Sequence, residues 1–261
     1  MDHTPDEVRY EVRDRTGWIT INRPARRNAL TMHTVDSLVE SFVAAGADPD
    51  VWAVVVTGTG NVFCAGGDLK EMDARARAGQ PFQPPMSGLG RNLFEVVLET
   101  YKPTIAALNG PALAGGCELM LACDLRVAVV GAQIGLPEAK RGMGANFGSV
   151  VLHRMLPRAR AFELLYTGRS ITAETALDWG LVSQVVPRED LVAATERLAA
   201  EVVANAPLTL CRYKHIAVKG WELPIPTALR LDVGPNPYLS DDRVEGVRAF
   251  VEKREPVWRN R

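Results

Sequence analysis

No stretch of this sequence is apolar for long enough to span a bilayer, so a membrane-spanning protein is not expected. The opening Met-Asp-His-Thr-Pro-Asp-Glu has neither the apolar centre of a signal peptide nor the arginines of a transit peptide, and the expected compartment is a bacterial-type cytoplasm. Cysteine is scarce. Cys64, Cys117, Cys123 and Cys211 stand in apolar surroundings with no C-x-x-C pair, which reads as reduced packing residues and argues against a disulfide framework or a zinc site. His3, His33, His153 and His215 are far apart and lack the spacing of metal ligands. An excess of either charge is missing too: 30 basic residues balance 31 acidic ones to a net charge of −1, which argues against a nucleic-acid partner recruited by overall charge. There is no repeat of fixed period and no low-complexity segment.

What remains is 261 residues, 47% hydrophobic, enough for a substantial core in one large domain or one domain with a smaller appendage. The most informative stretch runs from Asn109 to Asp124. A strand-like segment, Thr104 to Leu108, enters a turn at Gly110-Pro111, and the pair Gly115-Gly116 opens an apolar run that reads as a buried helix. Glu118 is the one carboxylate in it, at a desolvation cost unless it has partners or a task. In the first turn of a helix the unpaired N–H groups and the positive end of the dipole favour a negative charge, and the N–H of Gly115 is free to face an oxyanion. The plainer reading is that the glycines allow close helix packing and Glu118 caps the N-terminus.

Upstream, Val8 to Arg13 and Trp18 to Asn22 form a hairpin around Asp14-Arg15-Thr16-Gly17. The basic loop Arg23 to Asn28 is either a solvated bend or a seat for an anion. Thr31 is the expected N-cap of a helix that buries Met32, Val35, Leu38, Val39 and Phe42 and ends near Gly46. A buried strand, Trp52 to Thr57, precedes a second glycine turn, Ala65-Gly-Gly67-Asp-Leu-Lys70, with Asp68 suited to the first turn of the helix that follows. Glu71 to Leu93 is crowded with glycine and proline and reads as an irregular excursion or a lid carrying Phe82, Met86 and Leu89.

Downstream, Leu125 to Val130 is an expected strand, and Glu138 follows Pro137 twenty positions after Glu118. Spacing alone does not bring the two carboxylates together, but a helix and a returning strand between them allow it. Gly142 to Gly148 has the look of a dinucleotide loop, yet its last glycine falls one residue late for G-x-G-x-x-G and it lacks the strand and ribose carboxylate that motif needs. The final third is helical by periodicity: Arg158 to Tyr166, a short helix capped by Thr172, Asp190 to Asn205, Pro207 to Trp221, and Arg243 to Arg254 capped by Asp241-Asp242.

Three motifs in this order, Phe63-Cys-Ala-Gly-Gly67-Asp-Leu-Lys70, Ile105 to Leu119 and Gly135-Leu-Pro-Glu138, resemble the crotonase (enoyl-CoA hydratase/isomerase) superfamily. The likeness extends to Asn22-Arg-Pro, Thr167-Gly-Arg, Ala176 to Val182 and Glu245 to Arg254, nearly the whole chain. It implies an α/β spiral of ββα units over 1–195 and a C-terminal helical region, 196–261, that builds homotrimers, often paired as hexamers. It implies an acyl-CoA substrate, with coenzyme A as part of the substrate and no separate cofactor or metal. An enolate would be held by the N–H groups at Gly67 and Gly115. Glu118 would activate water, and Glu138 would protonate C2. Ala65, Asp68, Leu69 and Lys70, with Phe250 and Lys253 from a neighbouring subunit, would contact the substrate. The expected activity is reversible hydration of a 2-enoyl-CoA. Alternatives are double-bond isomerisation, hydration of a branched or cyclic acyl-CoA, and a silent CoA-binding or RNA-associated scaffold. One departure stands out. Gly144-Ala-Asn146-Phe147-Gly148-Ser149 replaces a smaller Pro-Gly-x-Gly-Gly-Thr-like loop, and the bulk of Asn146 and Phe147 is expected to alter the acyl pocket.

Overall fold

A computed structural model describes residues 6–81, 86, 87 and 89–261. The N-terminal hairpin pairs β1 (Val8–Arg13) with β2 (Thr16–Ile21), antiparallel, so that Arg13 faces Thr16. Its turn is tighter than the sequence suggests. Asp14 and Arg15, both at positive φ, make a two-residue loop, and the expected turn residue Gly17 lies inside β2. There a Cβ would stand 3.1 Å from the Tyr10 ring, so glycine serves close packing across the strands.

Helix α1 (Met32–Ala47) begins at Thr31, whose hydroxyl accepts from the Thr34 N–H. Leu38 and Phe42 are fully packed, whereas Met32, expected inside, is exposed at the helix start. Strand β3 (Ala53–Gly58) leads to α2 (Leu69–Arg77), so the first residues of the supposed irregular excursion are helical. Of the expected lid residues, Met86 and Leu89 are exposed and Phe82 lies outside the described residues. Helix α3 (Leu93–Leu98) starts with a capping box between Asn92 and Glu95. Strand β4 (Thr104–Leu108), β5 (Ala112–Leu113), α4 (Gly115–Ala122), β6 (Leu125–Val129) and β7 (Gln133–Gly135) follow, then a 3-10 turn at Pro137–Arg141 and α5 (Asn146–Met155).

The chain continues through α6 (Arg158–Thr167), β8 (Ser170–Thr172), α7 (Ala173–Asp178), β9 (Gln184–Val186), α8 (Leu191–Val203), α9 (Pro207–Gly220), α10 (Ile225–Ala228) and α11 (Asp241–Glu252). The 195/196 division falls inside α8, which packs on β3, β4 and β6. Ser240, not the Asp241-Asp242 pair, caps α11: its hydroxyl accepts from the Arg243 N–H. Asp242 instead accepts from the N–H groups of Arg259 (2.7 Å) and Asn260 (3.0 Å) and ties down the C-terminal tail.

Six strands form the main sheet in the order β1-β2-β3-β4-β6-β9, parallel from β2 onward. A second layer contains β5-β7-β8 and is extended by two isolated parallel bridges, Leu30 with Gly67 and Cys64 with Ala112. Each successive unit therefore gives one segment to the main sheet and one to the second layer before its helix. This is the spiral of ββα units expected from the resemblance. Parallel strands covered on both faces read as continuous apolar runs, and β3 and β4 do so. The C-terminal helices are tethered through Lys214 of α9. Its buried ammonium reaches Asp124 Oδ2 (2.8 Å), Thr104 Oγ1 (3.2 Å) and the Lys102 carbonyl (3.1 Å).

Candidate active site

The glycine pairs of the two turns are divided in the same way. In the first, Gly66 sits at φ +88°, and a Cβ there would fall 2.6 Å from the Ala114 Cβ. In the second, a Cβ on Gly116 would fall 2.2 Å from the Cys64 carbonyl oxygen. Only glycine fits at these two positions, and together they let the turns lie against each other. Gly67 and Gly115 are different. A Cβ on either would meet only ordinary contacts, and one on Gly115 would stand 3.8 Å from the Gly67 nitrogen. Neither N–H has an acceptor among the described residues. Gly115 opens α4, where a first-turn N–H has no intrahelical partner, so two free donors lie side by side at the N-terminus of a buried helix.

Glu118 lies in the first turn of that helix, and every residue from Gly116 to Ala122 is buried. It is not a cap of its own helix. Its Oε1 accepts from the Gly148 N–H at 2.8 Å, and the Phe147 N–H also bonds to the carboxylate, so the start of α5 holds it. Burial pushes its pKa up to about 7. The Gly148 N–H opposes the shift, the nearby charge of Glu138 adds to it, and the Phe147 N–H opposes it again. Glu138 is buried in the 3-10 turn after β7, and burial raises its pKa as well. Its Oε2 has no hydrogen-bond partner among the described residues. The two carboxylates thus share one site. A bond from the Ala114 N–H to the Gly135 carbonyl (2.9 Å) ties the start of α4 to the strand that delivers Glu138.

Their surroundings differ in a chemically useful way. Two N–H donors favour the ionised form of Glu118 against its burial, whereas at Glu138 burial outweighs the residue's own backbone N–H and the charge of Arg141, and one carboxylate oxygen is left without a partner among the described residues. Arg126 completes the helix from the other end. Its guanidinium donates to the carbonyls of Leu181 (2.6 Å), Cys123 (2.7 Å), Met120 and Asp124 (both 3.3 Å), fixing the last turn of α4 against the segment before β9.

The chain is similar to known proteins over nearly its whole length. A family description, enoyl-CoA hydratase/isomerase, matches residues 13–261. The chain belongs to the enoyl-CoA hydratase/isomerase family. Enoyl-CoA hydratase EchA19 of Mycobacterium tuberculosis is 38% identical over 100% of this chain and 99% of its own length. Carnitinyl-CoA dehydratase of Salmonella enteritidis is 38% identical over 93% and 94%. The crystal structure of enoyl-CoA hydratase EchA1 from Mycobacterium marinum superposes with a TM-score of 0.89 at 36% identity, covering 98% of this chain and 100% of that one. The protein is thus a hydro-lyase-type enzyme of this family.

Other residues expected at a substrate site fall into two groups. Lys70 and Leu69 are exposed on the first turn of α2, beside Gly67. Phe250 and Lys253 belong to α11, where Phe250 is 85% exposed and Lys253 closes the helix in a left-handed conformation. Asp68 and Ala65 are engaged within the chain. Asp68 caps α2 and pairs with Arg23, and the Ala65 N–H donates to the Arg27 carbonyl (3.1 Å). Phe147 is buried, with its ring 5.5 Å from that of Phe94 on α3. Sequence reasoning saw both glycine pairs but did not separate Gly66 and Gly116, which shape the turns, from Gly67 and Gly115, and it missed the N–H groups of Phe147 and Gly148 as the holders of Glu118. Backbone donors leave no signature in side-chain pattern. Among the described residues no cluster of side chains has the makings of a metal site, and no helix is long and apolar enough to cross a membrane.

Proposed function

We propose that this chain is an enoyl-CoA hydratase, adding water reversibly across the C2–C3 double bond of a 2-enoyl-CoA to give the 3-hydroxyacyl-CoA. The observation that carries this reading is a pair of buried carboxylates with unequal surroundings beside two free N–H donors. The N–H groups of Gly67 and Gly115 would hold the thioester oxygen and stabilise the charge that moves onto it as C3 is attacked. Glu118 takes a proton from water as the oxygen bonds to C3. Glu138 gives its proton to C2, collapsing the enolate, and the pair redistributes one proton before the next turnover. Dehydration, the direction named for the Salmonella relative, is the same path reversed. The chemistry draws on these groups alone, with coenzyme A as part of the substrate.

Lys70, exposed beside the donor loop, is suited to the phosphates of coenzyme A. The apolar surface of the C-terminal helices, with Ile225, Leu229, Leu239, Phe250 and Val251 all more than 70% exposed, supports a homotrimer in which Phe250 and Lys253 reach a neighbour's site. An isomerase, by contrast, needs one effective acid/base and gives no second carboxylate a task.

Loss of the conjugated-thioester absorbance of crotonyl-CoA tests the reading. Wild type is expected to form 3-hydroxybutyryl-CoA, and Glu118→Gln and Glu138→Gln each to lose most of the rate. Very unequal losses would favour isomerisation instead, and binding without turnover in wild type would rule out this substrate.

A further inference from the structure

We propose that Arg23 and Asp68 are positioning residues for the Gly67 N–H, an inference that rests on the oxyanion reading above. Leu30 and Gly67 form an isolated parallel bridge. The Leu30 N–H donates to the Gly66 carbonyl (2.8 Å), and the Leu30 carbonyl accepts from the Asp68 N–H (2.9 Å). In a parallel bridge the residue between those two bonds turns its own N–H to the opposite side. The Gly67 N–H is therefore aimed away from Leu30 and toward Gly115, and whatever fixes Leu30 and Asp68 fixes that aim.

Asp68 is fixed from three directions. Its Oδ1 accepts from the N–H groups of Lys70 (3.1 Å) and Glu71 (3.3 Å), and its Oδ2 pairs with Arg23 Nη2 at 3.2 Å. Arg23 also donates to the carbonyl of Ala29, the residue before Leu30, and its Nε pairs with Glu7 Oε1 at 2.9 Å. One guanidinium thus grips both strands of the bridge, Ala29 on one side and Asp68 on the other. Glu7 completes the chain by accepting from the hydroxyls of Thr31 (2.9 Å) and Thr34 at the start of α1. The Arg23 and Asp68 side chains are only 12% and 8% exposed, so their charges are poorly screened. Burial works against the Asp68 charge, but the Glu71 N–H, Arg23 and the Lys70 N–H outweigh it and hold the carboxyl below its usual range. An Arg23 turned inward in this way is not a solvated residue of the basic loop, and both carboxylate oxygens of Asp68 are engaged within the chain.

The test uses butyryl-CoA labelled with carbon-13 at the thioester carbonyl, a saturated ligand that cannot be hydrated, and reads its carbonyl stretch by difference infrared spectroscopy. In wild type the band is expected to drop on binding. In Asp68→Asn and Arg23→Met it should return toward the free-ligand position. On crotonyl-CoA the same variants should lose about tenfold to a hundredfold in kcat, with KM little changed, as expected when a donor is displaced and not deleted. Asp73→Asn, which breaks an exposed pair with Arg77 on the same helix, should leave band and kcat alone. Glu7→Gln, which keeps the side chain's shape, should move both readouts part-way and serves if the other variants do not fold. A wild-type band that does not shift overturns the oxyanion reading and this proposal with it. A wild-type shift that survives in folded variants, or a loss of kcat with the band unmoved, overturns this proposal alone.

Discussion

Replacing Glu118 by glutamine should make the protein more stable and inactive, and the gain in stability should depend on pH. Glu118 rises from an ordinary 4.5 to about 7, chiefly because burial disfavours the charge. The folded chain therefore holds a proton between about pH 4.5 and 7 that the unfolded chain has released. Stability from this group is intact below that window and is lost as pH rises through it. At about 1.4 kcal/mol per pKa unit the ionised form costs about 3 kcal/mol above pH 7. Glutamine has no charge to lose, and its amide oxygen can still accept from the Gly148 N–H. Between pH 4.5 and 8 the variant should gain about 2–3 kcal/mol on wild type, a widening of about 4–12 °C in Tm for a chain of this size. Thermal melts of both proteins at matched concentration across that range measure it directly. The same ionisation should give wild-type hydration a rate that rises with pH through about 7 as the base forms. A constant difference in Tm, or one that narrows toward pH 8, would refute the account of Glu118 as a carboxylate held against its burial.

The backbone around the donors makes two further predictions. Gly116→Ala would set a Cβ 2.2 Å from the Cys64 carbonyl oxygen and 2.7 Å from its Cβ, so the start of α4 must shift. Circular-dichroism melts should show a loss of about 3 kcal/mol or more, and kcat should fall about a hundredfold in whatever folds. Ala114, at φ 52° and ψ −128°, holds a conformation that L-residues avoid. Relief of about 1–3 kcal/mol of strain, less about 0.4–1 kcal/mol for the greater freedom of unfolded glycine, should leave Ala114→Gly stabilised by about 1 kcal/mol, and a lower Tm would contradict that strain.

What the sequence makes legible here follows from how local the cause is. The Thr31 and Thr172 caps, strand β4 and the buried start of α4 are each encoded within a few residues, and the structure has them where pattern puts them. Ser240-Asp241-Asp242 offers three cap-forming residues in a row, and only the backbone conformation decides that Ser240 caps. The hairpin turn misleads because its two left-handed residues are Asp14 and Arg15 while the nearby glycine serves packing. Glu118 is visible as a lone carboxylate in an apolar helix. The pairing of Asp68 with Arg23 joins residues forty-five positions apart and has no local trace. The packing of Phe147 against Phe94 is likewise not announced by the residues around either one.

The short helix α4 carries both an N–H donor, at Gly115, and a carboxylate, at Glu118, one turn apart and locked at the far end by Arg126. The spacing between those two groups is thus a matter of helical pitch and does not depend on loops. In the proposed hydration those two groups address the carbonyl oxygen and the β-carbon, whose separation is the same in every 2-enoyl thioester whatever the acyl tail. Reaction and selectivity are therefore separable in this architecture. Segments that touch neither group are free to diverge, while the donor and the carboxylate keep one frame.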